Sequence, residues 1–295
     1  MKKILVILGP TATGKSDLAV KLAKKFKGEV ISADSRQVYE GLDIGTGKIT
    51  KKEMGGVPHH LLDVADPKKQ FSVVKYVRHA EEIIEDIIHR NKLPIICGGT
   101  GFYIQALVDG IILPEVPPNP ELRKKLSKKT SSELMKILKK LDPKRASGID
   151  SHNSRRIIRA IEIAGVLGKV PPIRKILKYD PLFIGLDLPA EDLRKKIKIR
   201  LEKRLKKGML EEARKLHKDG LSWKRMNELG LEYRYLALYL QKKITLDEMN
   251  KKLETEIWHY AKRQMTWFKK DKRIKWFDPD HIGKIEKEAR KFFNK

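Results

Sequence analysis

The chain has 295 residues, of which 40% are hydrophobic and 35% charged, a composition that is typical of a globular protein and excludes a disordered chain. No apolar run approaches the length of a membrane span, no signal sequence follows Met1, and the single cysteine cannot form an internal disulfide, so we expect a cytoplasmic protein. Lysine and arginine number 65 against 38 acidic residues, and the resulting charge of +27 favours a polyanionic partner over a surface of balanced ion pairs.

The first predicted elements enclose a glycine-rich loop. Residues 4–8 predict a buried strand, and residues 16–25 carry apolar side chains at helical spacing. Between them, Gly-Pro-Thr-Ala-Thr-Gly-Lys-Ser at 9–16 matches Gly-x-x-x-x-Gly-Lys-Ser, in which backbone N–H groups surround phosphate oxygens, the lysine adds charge and the serine can hold Mg²⁺. We therefore predict a site for a di- or triphosphate, with Ser16 as the candidate metal ligand, formed by Gly9, Thr11, Ala12, Thr13, Gly14, Lys15 and Ser16.

Two further predicted strands end close to this loop. Residues 29–33 form one and lead into Asp34, and residues 93–97 form the other and lead into Gly-Gly-Thr-Gly at 98–101. Ligands of open α/β sheets bind beyond the carboxyl ends of the strands, so we expect Asp34 and Thr100 to meet in the phosphate crevice. The alternative for Asp34 is a capping role in a turn, and for Cys97 we favour packing over catalysis.

The middle of the chain indicates an insertion. A loop is predicted over 38–50, a short strand over 58–64 and a helix over 72–90, and the adjacent His59 and His60 lack the spacing of a zinc site. Prolines cluster from 114 to 120, and the following segment predicts only helices, at 121–128, 132–141 and 153–167, before strand character returns at 182–188. We predict an α/β fold: a P-loop NTPase-like parallel sheet core from residues 1–114 plus 183–295, with a helical insertion domain at 115–182.

Basic helices follow the insertion. One is predicted over 194–207, with Lys196, Arg200, Lys203 and Lys207 on one face, and another over 209–218. A capping box at Thr245 predicts a long helix to about residue 270, in which aromatic residues alternate with cations as on nucleic-acid surfaces. Aromatic residues at helical spacing are more often buried, and we expect this of Trp267. A last strand is predicted over 274–277 and a last helix over 282–293.

Separated blocks of the sequence together resemble one family. These blocks lie at 9–16, 31–39 with 43–46, 58–61, 98–104, 153–160, 208–212 and 260–268. With them the chain resembles, over nearly its whole length, the bacterial tRNA dimethylallyltransferases, also called tRNA isopentenyltransferases. The sequence departs from the family pattern at Trp258-His259, at Gly47, at Arg155 and at Gly-Leu-Glu-Tyr-Arg over 230–234, which bears on contacts with tRNA rather than on the chemistry.

The resemblance implies a prenyl transfer. The family moves a dimethylallyl group from dimethylallyl diphosphate to the exocyclic amine of the adenosine 3′ of the anticodon, with Mg²⁺ as cofactor, and the target base must leave its stack. By resemblance Asp34 is the catalytic base, Thr100 lies beside the reacting centre, and Arg200 holds the diphosphate, although Arg204 lies one turn away and stays an alternative. We expect a monomer that binds the anticodon stem-loop of tRNA, partly through the insertion, and no membrane association. The implied tRNA contacts are Asp34, Ser35, Arg36, Gln37, Arg155, Arg156, Arg159, Tyr233, Arg234, Lys262, Arg263, Gln264 and Lys269.

Two other functions compete with this one. A relative that prenylates free adenine nucleotides would not need the charge of +27. A nucleoside kinase, or a phosphate-loop protein that binds RNA without catalysis, would share the first motif, but no apolar run followed by Asp supplies a second metal-binding strand.

Overall fold

The computed structural model describes residues 1–293, and its centre is a parallel β-sheet. In chain order the strands are β1 (Lys2–Leu8), β2 (Gly28–Ser32), β3 (His59–His60), β4 (Leu93–Gly98), β5 (Ile111–Ile112), β6 (Arg174–Lys175), β7 (Tyr179–Leu186) and β8 (Lys275–Phe277). Six of them form one sheet in the order β3-β2-β4-β1-β7-β8, and each neighbouring pair is parallel. The predicted α/β class with a P-loop NTPase-like parallel sheet is confirmed.

Helices connect and cover these strands. They are α1 (Lys15–Phe26), α2 (Lys51–Met54), α3 (Val73–His89), α4 (Gly101–Val108), α5 (Pro120–Leu126), α6 (Ser131–Leu141), α7 (Pro143–Gly148), α8 (Ser154–Leu167), α9 (Ala190–Lys206), α10 (Met209–Lys218), α11 (Trp223–Leu229), α12 (Leu231–Leu240), α13 (Leu246–Phe268) and α14 (Ile282–Phe293). None of the helices within residues 1–293 is both long and apolar enough to cross a membrane.

Both faces of β1 are buried, which explains its unbroken apolar run. Ile4, Val6 and Leu8 point into a core shared with α3 and α4. Leu5 and Ile7 point to the opposite face and pack with residues of α1 and α14. Strands of parallel sheets are covered by helices on both faces and therefore lack the alternation of polar and apolar residues that marks a half-exposed strand.

The chain divides into two compact units. One comprises Met1–Gly110 and the chain from Leu177 onward, and the other is Ile111–Ile176. The smaller unit contains α5 to α8 around its own core of Leu126, Leu134, Leu138 and Ile157, and the antiparallel pair β5–β6 joins its first and last residues. This unit begins and ends a few residues before the predicted insertion, 115–182.

Several local predictions need correction. The predicted strand over 58–64 is reduced to His59–His60, because Leu61 and Asp63 adopt left-handed backbone conformations (φ 60° and 54°) that end the extended run. Helices α2, α7, α11 and α12 and the pair β5–β6 were not predicted, since they are short or carry too weak an apolar periodicity. The prediction that Trp267 is buried is wrong: 37% of this residue is exposed, because it lies on the outer side of α13 against Phe102.

Candidate active site

Three loops meet at the carboxyl edge of the sheet and enclose a cavity of about 650 Å³. They follow β1, β2 and β4, which are neighbours in the order β2-β4-β1. The remaining walls come from the loop at 43–50, from the basic face of α9 and from Tyr260 and Gln264 of α13. All of these residues belong to the larger unit. Both glycine loops and Asp34 therefore face one ligand space, as the order of the strands predicts.

The first glycine loop turns its backbone around one end of this cavity. Thr11, Ala12, Gly14, Lys15 and Ser16 line the cavity. Gly9 and Thr13, predicted with them, do not: the Thr13 hydroxyl donates to the Pro10 carbonyl at 2.9 Å, and Gly9 (φ 144°) lies so close to β7 that a Cβ would be 2.5 Å from the Leu186 carbonyl oxygen. These two residues support the loop from behind.

Lys15 is the half-buried cation of this loop. Its ammonium donates to the Pro10 carbonyl at 2.6 Å, and burial lowers its pKa from 10.5 to about 8. A lysine that is this desolvated gains from any anion that enters the cavity, because the anion offsets the loss of hydration. The arrangement therefore suits a phosphate or diphosphate group.

Asp34 lies two residues after β2, where it caps a turn and also faces the cavity. Its Oδ1 accepts hydrogen bonds from the backbone N–H groups of Arg36 (2.8 Å) and Gln37 (3.3 Å), so it caps the turn, and the residue also lines the cavity. Thr100 is adjacent but, unlike Asp34 and contrary to expectation, does not line the cavity. Its Oγ1 accepts from Ser35 N–H at 3.0 Å and its own N–H donates to the Ala33 carbonyl at 3.1 Å. The turn after β2 and the second glycine loop are thus fixed to each other.

The geometry separates the two arginines of α9. Arg200 donates from Nη1 to Thr11 Oγ1 at 2.9 Å, and burial together with the neighbouring Arg204 lowers its pKa below the usual range. Arg204 instead pairs with Glu232 at 3.0 Å and donates from Nε to the Ile44 carbonyl at 2.6 Å. Arg200 is therefore the arginine that contacts the phosphate-binding loop, whereas Arg204 lines the cavity but is held by Glu232 and the Ile44 carbonyl. Lys196, Lys203 and Lys207, predicted on one face with Arg200, also line the cavity.

Gln264 joins the two glycine loops. Its Oε1 accepts from Thr11 N–H at 2.9 Å, and its Nε2 donates to the Gly99 carbonyl at 2.9 Å. Only 6% of the residue is exposed, so these two bonds give it a structural role, and the contact with tRNA stays a prediction. The sequence offered no signal for this bridge, because it depends on the packing of α13 against both loops.

The other predicted RNA contacts fall into two groups. Those exposed on helices are Arg155 and Arg156 of α8 and Lys262, Arg263 and Lys269 of α13 or its end. Those with internal partners are Arg159, which donates to Glu162 (3.2 Å) and the Val116 carbonyl (2.7 Å), Arg36, which donates to the Leu229 carbonyl (2.6 Å), and Tyr233, which is 1% exposed and donates to Glu212 (2.7 Å). For Tyr233 the expected RNA contact is not supported, because the ring lies in the core. Arg234 is half-buried, and Ser35 and Gln37 belong to the Asp34 turn.

The cavity fits a magnesium ion only together with a phosphate ligand. Within residues 1–293 no group of three or more His, Cys, Asp or Glu side chains could hold a metal. Mg²⁺ commonly takes one or two protein oxygens and completes its shell with phosphate oxygens and water. The exposed Ser16 side chain in the cavity can supply one such oxygen.

The single thiol of the chain lines this cavity but is not activated. Cys97 is buried, and burial raises the pKa of its thiol to about 12. A thiol that stays protonated at neutral pH is no nucleophile. The prediction that Cys97 has a packing role agrees with this environment.

Comparison with known proteins gives one family. The family model described as IPP transferase matches residues 37–271. tRNA dimethylallyltransferase 2 of Treponema denticola is 46% identical over 272 residues, 90% of this chain and 91% of that protein. A full-length tRNA isopentenylpyrophosphate transferase from Bacillus halodurans aligns in its crystal structure with a TM-score of 0.75 at 36% identity, over 98% of this chain and 96% of that one. A eukaryotic dimethylallyltransferase crystallised acting on tRNA aligns with a TM-score of 0.78 at 27% identity, over 95% of this chain and 74% of that one.

Proposed function

Because this chain belongs to the IPP transferase family, whose relatives above are tRNA dimethylallyltransferases, we propose that it transfers a dimethylallyl group from dimethylallyl diphosphate to the exocyclic amine of the adenosine 3′ of the anticodon in tRNA. The observation that carries the proposal is that Lys15 and Arg200 line the same cavity as Asp34. One end of the cavity therefore offers cations and backbone donors, and the other offers a carboxylate.

The cationic end suits the leaving group. When the allylic C–O bond breaks, its electron pair leaves with the diphosphate, whose negative charge increases. Lys15, Arg200 and the loop around Gly14 are available to that charge, and both cations are desolvated. Desolvated cations respond strongly to charge that develops beside them, since less water screens the interaction.

The carboxylate end suits the acceptor. The exocyclic amine of adenosine is a weak nucleophile because its lone pair is delocalised into the ring. As the new C–N bond forms, the amine must lose a proton, and Asp34 is the group that would accept it. The hydrogen bonds from Arg36 and Gln37 to Oδ1 hold the side chain, which leaves the second carboxylate oxygen for the amine.

A bound Mg²⁺ would neutralise part of the charge on the diphosphate oxygens. Ser16 is the residue that would hold it, as the last position of the phosphate-binding motif.

The RNA surface is supported by exposed cations and aromatic rings. Arg263 and Lys269 are exposed on α13 and just after it, and they flank Trp267, which stacks edge-on against Phe102 with ring centroids 6.4 Å apart. Phe102 lies two residues after Thr100, in the first turn of α4. A nucleobase could stack on this pair while phosphates contact the flanking cations. In the smaller unit, the exposed Arg155 and Arg156 are proposed as further phosphate contacts.

The test is a transfer assay with the purified chain. Dimethylallyl diphosphate, Mg²⁺ and unmodified tRNA are incubated with the protein, and the nucleosides of the digested tRNA are analysed by mass spectrometry. We expect one added five-carbon unit on an adenosine. Transfer to AMP in preference to tRNA would favour the free-nucleotide alternative, and turnover of ATP without prenyl transfer would favour a kinase. Absence of any product with suitable tRNAs would refute the proposal.

A further inference from the structure

The carboxylate of Glu212 binds three consecutive backbone N–H groups of a cavity wall. Glu212 lies in the first turn of α10. Its Oε2 accepts from Asp43 N–H at 3.0 Å and Ile44 N–H at 2.6 Å, and its Oε1 accepts from Gly45 N–H at 2.8 Å. Bonds from N–H groups to a carboxylate are charge-assisted and among the stronger hydrogen bonds in proteins. The loop at 43–45 is therefore held by one side chain from outside the cavity.

The contacts of both arginines lie within the segment held by Glu212 or two residues beyond it. The Ile44 carbonyl accepts from Arg204 Nε at 2.6 Å and from Gly47 N–H at 3.0 Å. The Gly47 carbonyl in turn accepts from Arg200 Nη2 at 3.3 Å. A shift of residues 43–45 would thus change the position of the guanidinium group that contacts the phosphate-binding loop.

Close packing fixes the same segment on its other side. A Cβ on Gly45 would lie 2.5 Å from the ring of Tyr233, so the loop rests directly on that ring. The Tyr233 hydroxyl donates to Glu212 Oε1 at 2.7 Å. Burial and the neighbouring Glu212 raise the pKa of Tyr233 well above its ordinary value, so the hydroxyl keeps its proton and stays a donor. The carboxylate is therefore itself oriented by a buried partner.

We propose that Glu212 is a positioning residue for the donor end of the cavity: it holds residues 43–45 so that Arg200 is set against the bound diphosphate. This inference rests on the proposed function for its kinetic test. The matched control lies next to it, because Glu211 is exposed on the same turn of α10 and contacts Arg214 at 3.1 Å rather than the loop.

The test compares Glu212→Gln with Glu211→Gln. In the first variant, an amide N–H₂ faces backbone N–H groups whichever way it is turned, so at least one N–H loses its acceptor. We expect the KM for dimethylallyl diphosphate and the Kd for inorganic diphosphate, measured by calorimetry, to rise about tenfold, with the KM for tRNA unchanged. Glu211→Gln is expected to behave as the wild type in all three measurements.

Two further variants keep the inference testable if Glu212→Gln does not fold. Tyr233→Phe removes one donor to the carboxylate and is expected to raise the Kd for diphosphate by about threefold. Glu212→Asp keeps the negative charge, and we expect it to bind diphosphate more tightly than Glu212→Gln does. If Glu212→Gln is unfolded, we expect Glu212→Asp to fold. Unchanged diphosphate binding in Glu212→Gln or Tyr233→Phe overturns the inference, as does an equal rise in the KM values of both substrates.

The outcome for Glu212 is separable from that of the proposed function. Diphosphate binding is measured without tRNA and without turnover. If the wild type transfers no prenyl group, the proposed function fails, while the calorimetric comparison of Glu212→Gln with Glu211→Gln still decides the role of Glu212.

Discussion

The Gln264 side chain shows how much a single buried amide contributes to the site. It accepts from Thr11 N–H and donates to the Gly99 carbonyl, both at 2.9 Å. In Gln264→Leu both backbone groups lose their partner, and each costs about 1–3 kcal/mol when buried without one. We expect a lower free energy of unfolding in urea and weaker diphosphate binding.

The control for this change is Gln241→Leu, because the Gln241 amide donates only within its own helix end, to the Ala237 carbonyl at 3.0 Å. Equal effects of the two substitutions on stability and on diphosphate affinity would show that the bridge between the loops is unimportant.

The substitution Asp34→Asn distinguishes the chemical role of the carboxylate from its role in capping the turn. Asparagine retains an Oδ1 that can accept from Arg36 and Gln37 N–H, so the loop should keep its shape. It lacks a basic oxygen, and we expect the rate of prenyl transfer to fall by about 10²–10⁴ while diphosphate binding is retained. Single-turnover assays and calorimetry measure the two quantities. A variant with near-wild-type rate would remove Asp34 from the mechanism.

At the scale of elements, Glu29 of β2 joins several parts of the core through one carboxylate. It is 2% exposed and contacts Arg90 (2.9 Å to Nη2), Lys92 (2.7 Å) and His60 (2.8 Å), which belong to or flank α3, β4 and β3. Hydrogen bonds from Arg90, followed by those from Lys92 and His60, hold the pKa of this carboxyl well below its usual value of 4.5. The folded state therefore binds this proton less readily than the unfolded state does.

The sign of the resulting pH dependence follows from linkage. Since the pKa is depressed on folding, Glu29 contributes fully to stability above pH 4.5 and loses that contribution as the pH falls further. We expect Glu29→Gln to lose about 3 kcal/mol at neutral pH and to show a flatter decline in stability below pH 4.5. Asp86→Asn is the control, because that carboxylate is exposed and also pairs with Arg90. Denaturation at a series of pH values checks both variants, and parallel curves for wild type and Glu29→Gln would contradict the assignment.

Helix α13 leads to a prediction about the affinity for tRNA. Trp267→Ala removes the exposed ring next to Phe102, and stacking of one base on an aromatic ring contributes about 1–3 kcal/mol. We expect the Kd for tRNA to rise about tenfold, with diphosphate binding unchanged. Leu246→Ala, an exposed apolar residue at the start of the same helix, serves as control and should leave both affinities unaltered. Wild-type affinity of Trp267→Ala for tRNA would exclude this pair as a stacking surface.

Prediction from sequence succeeded where the signal is local. The phosphate-binding loop, the strands beside it and the capping box at Thr245 each depend on neighbouring residues, and the structure contains all of them. It failed where packing decides. The burial of Tyr233, the exposure of Trp267 and the bridge formed by Gln264 depend on which face of a helix meets another element. The choice between Arg200 and Arg204 likewise required the position of the loop at 44–47.

The charge of the whole molecule predicts how RNA binding responds to salt. A net charge of +27 should make the association with tRNA depend on the release of counterions from its phosphates. We expect the logarithm of the association constant to fall linearly with the logarithm of salt concentration, by about 0.7 to 0.9 for each phosphate that is neutralised. Titrations of the anticodon stem-loop between low and physiological salt measure this slope. A slope near zero would show that the positive charge does not contribute to RNA binding.

The salt dependence of tRNA binding can be compared with that of diphosphate binding in the same protein. In the proposed function, diphosphate would contact a few desolvated groups in a partly open cavity, where screening by salt is weaker than at the surface. Its affinity should therefore depend less on salt than that of tRNA. Calorimetry at the same salt concentrations provides this measurement.

The pairing of β5 with β6 determines how easily the smaller unit can change in evolution. Ile111 pairs with Lys175 and Ile112 with Arg174, so the points where the chain enters and leaves the smaller unit are neighbours. A segment whose ends are adjacent can be removed, lengthened or exchanged with only a short turn to close the gap. Residues 111–176 can therefore be exchanged as one unit. The sequence and length of this segment can differ among homologues without any rearrangement of the parallel strands.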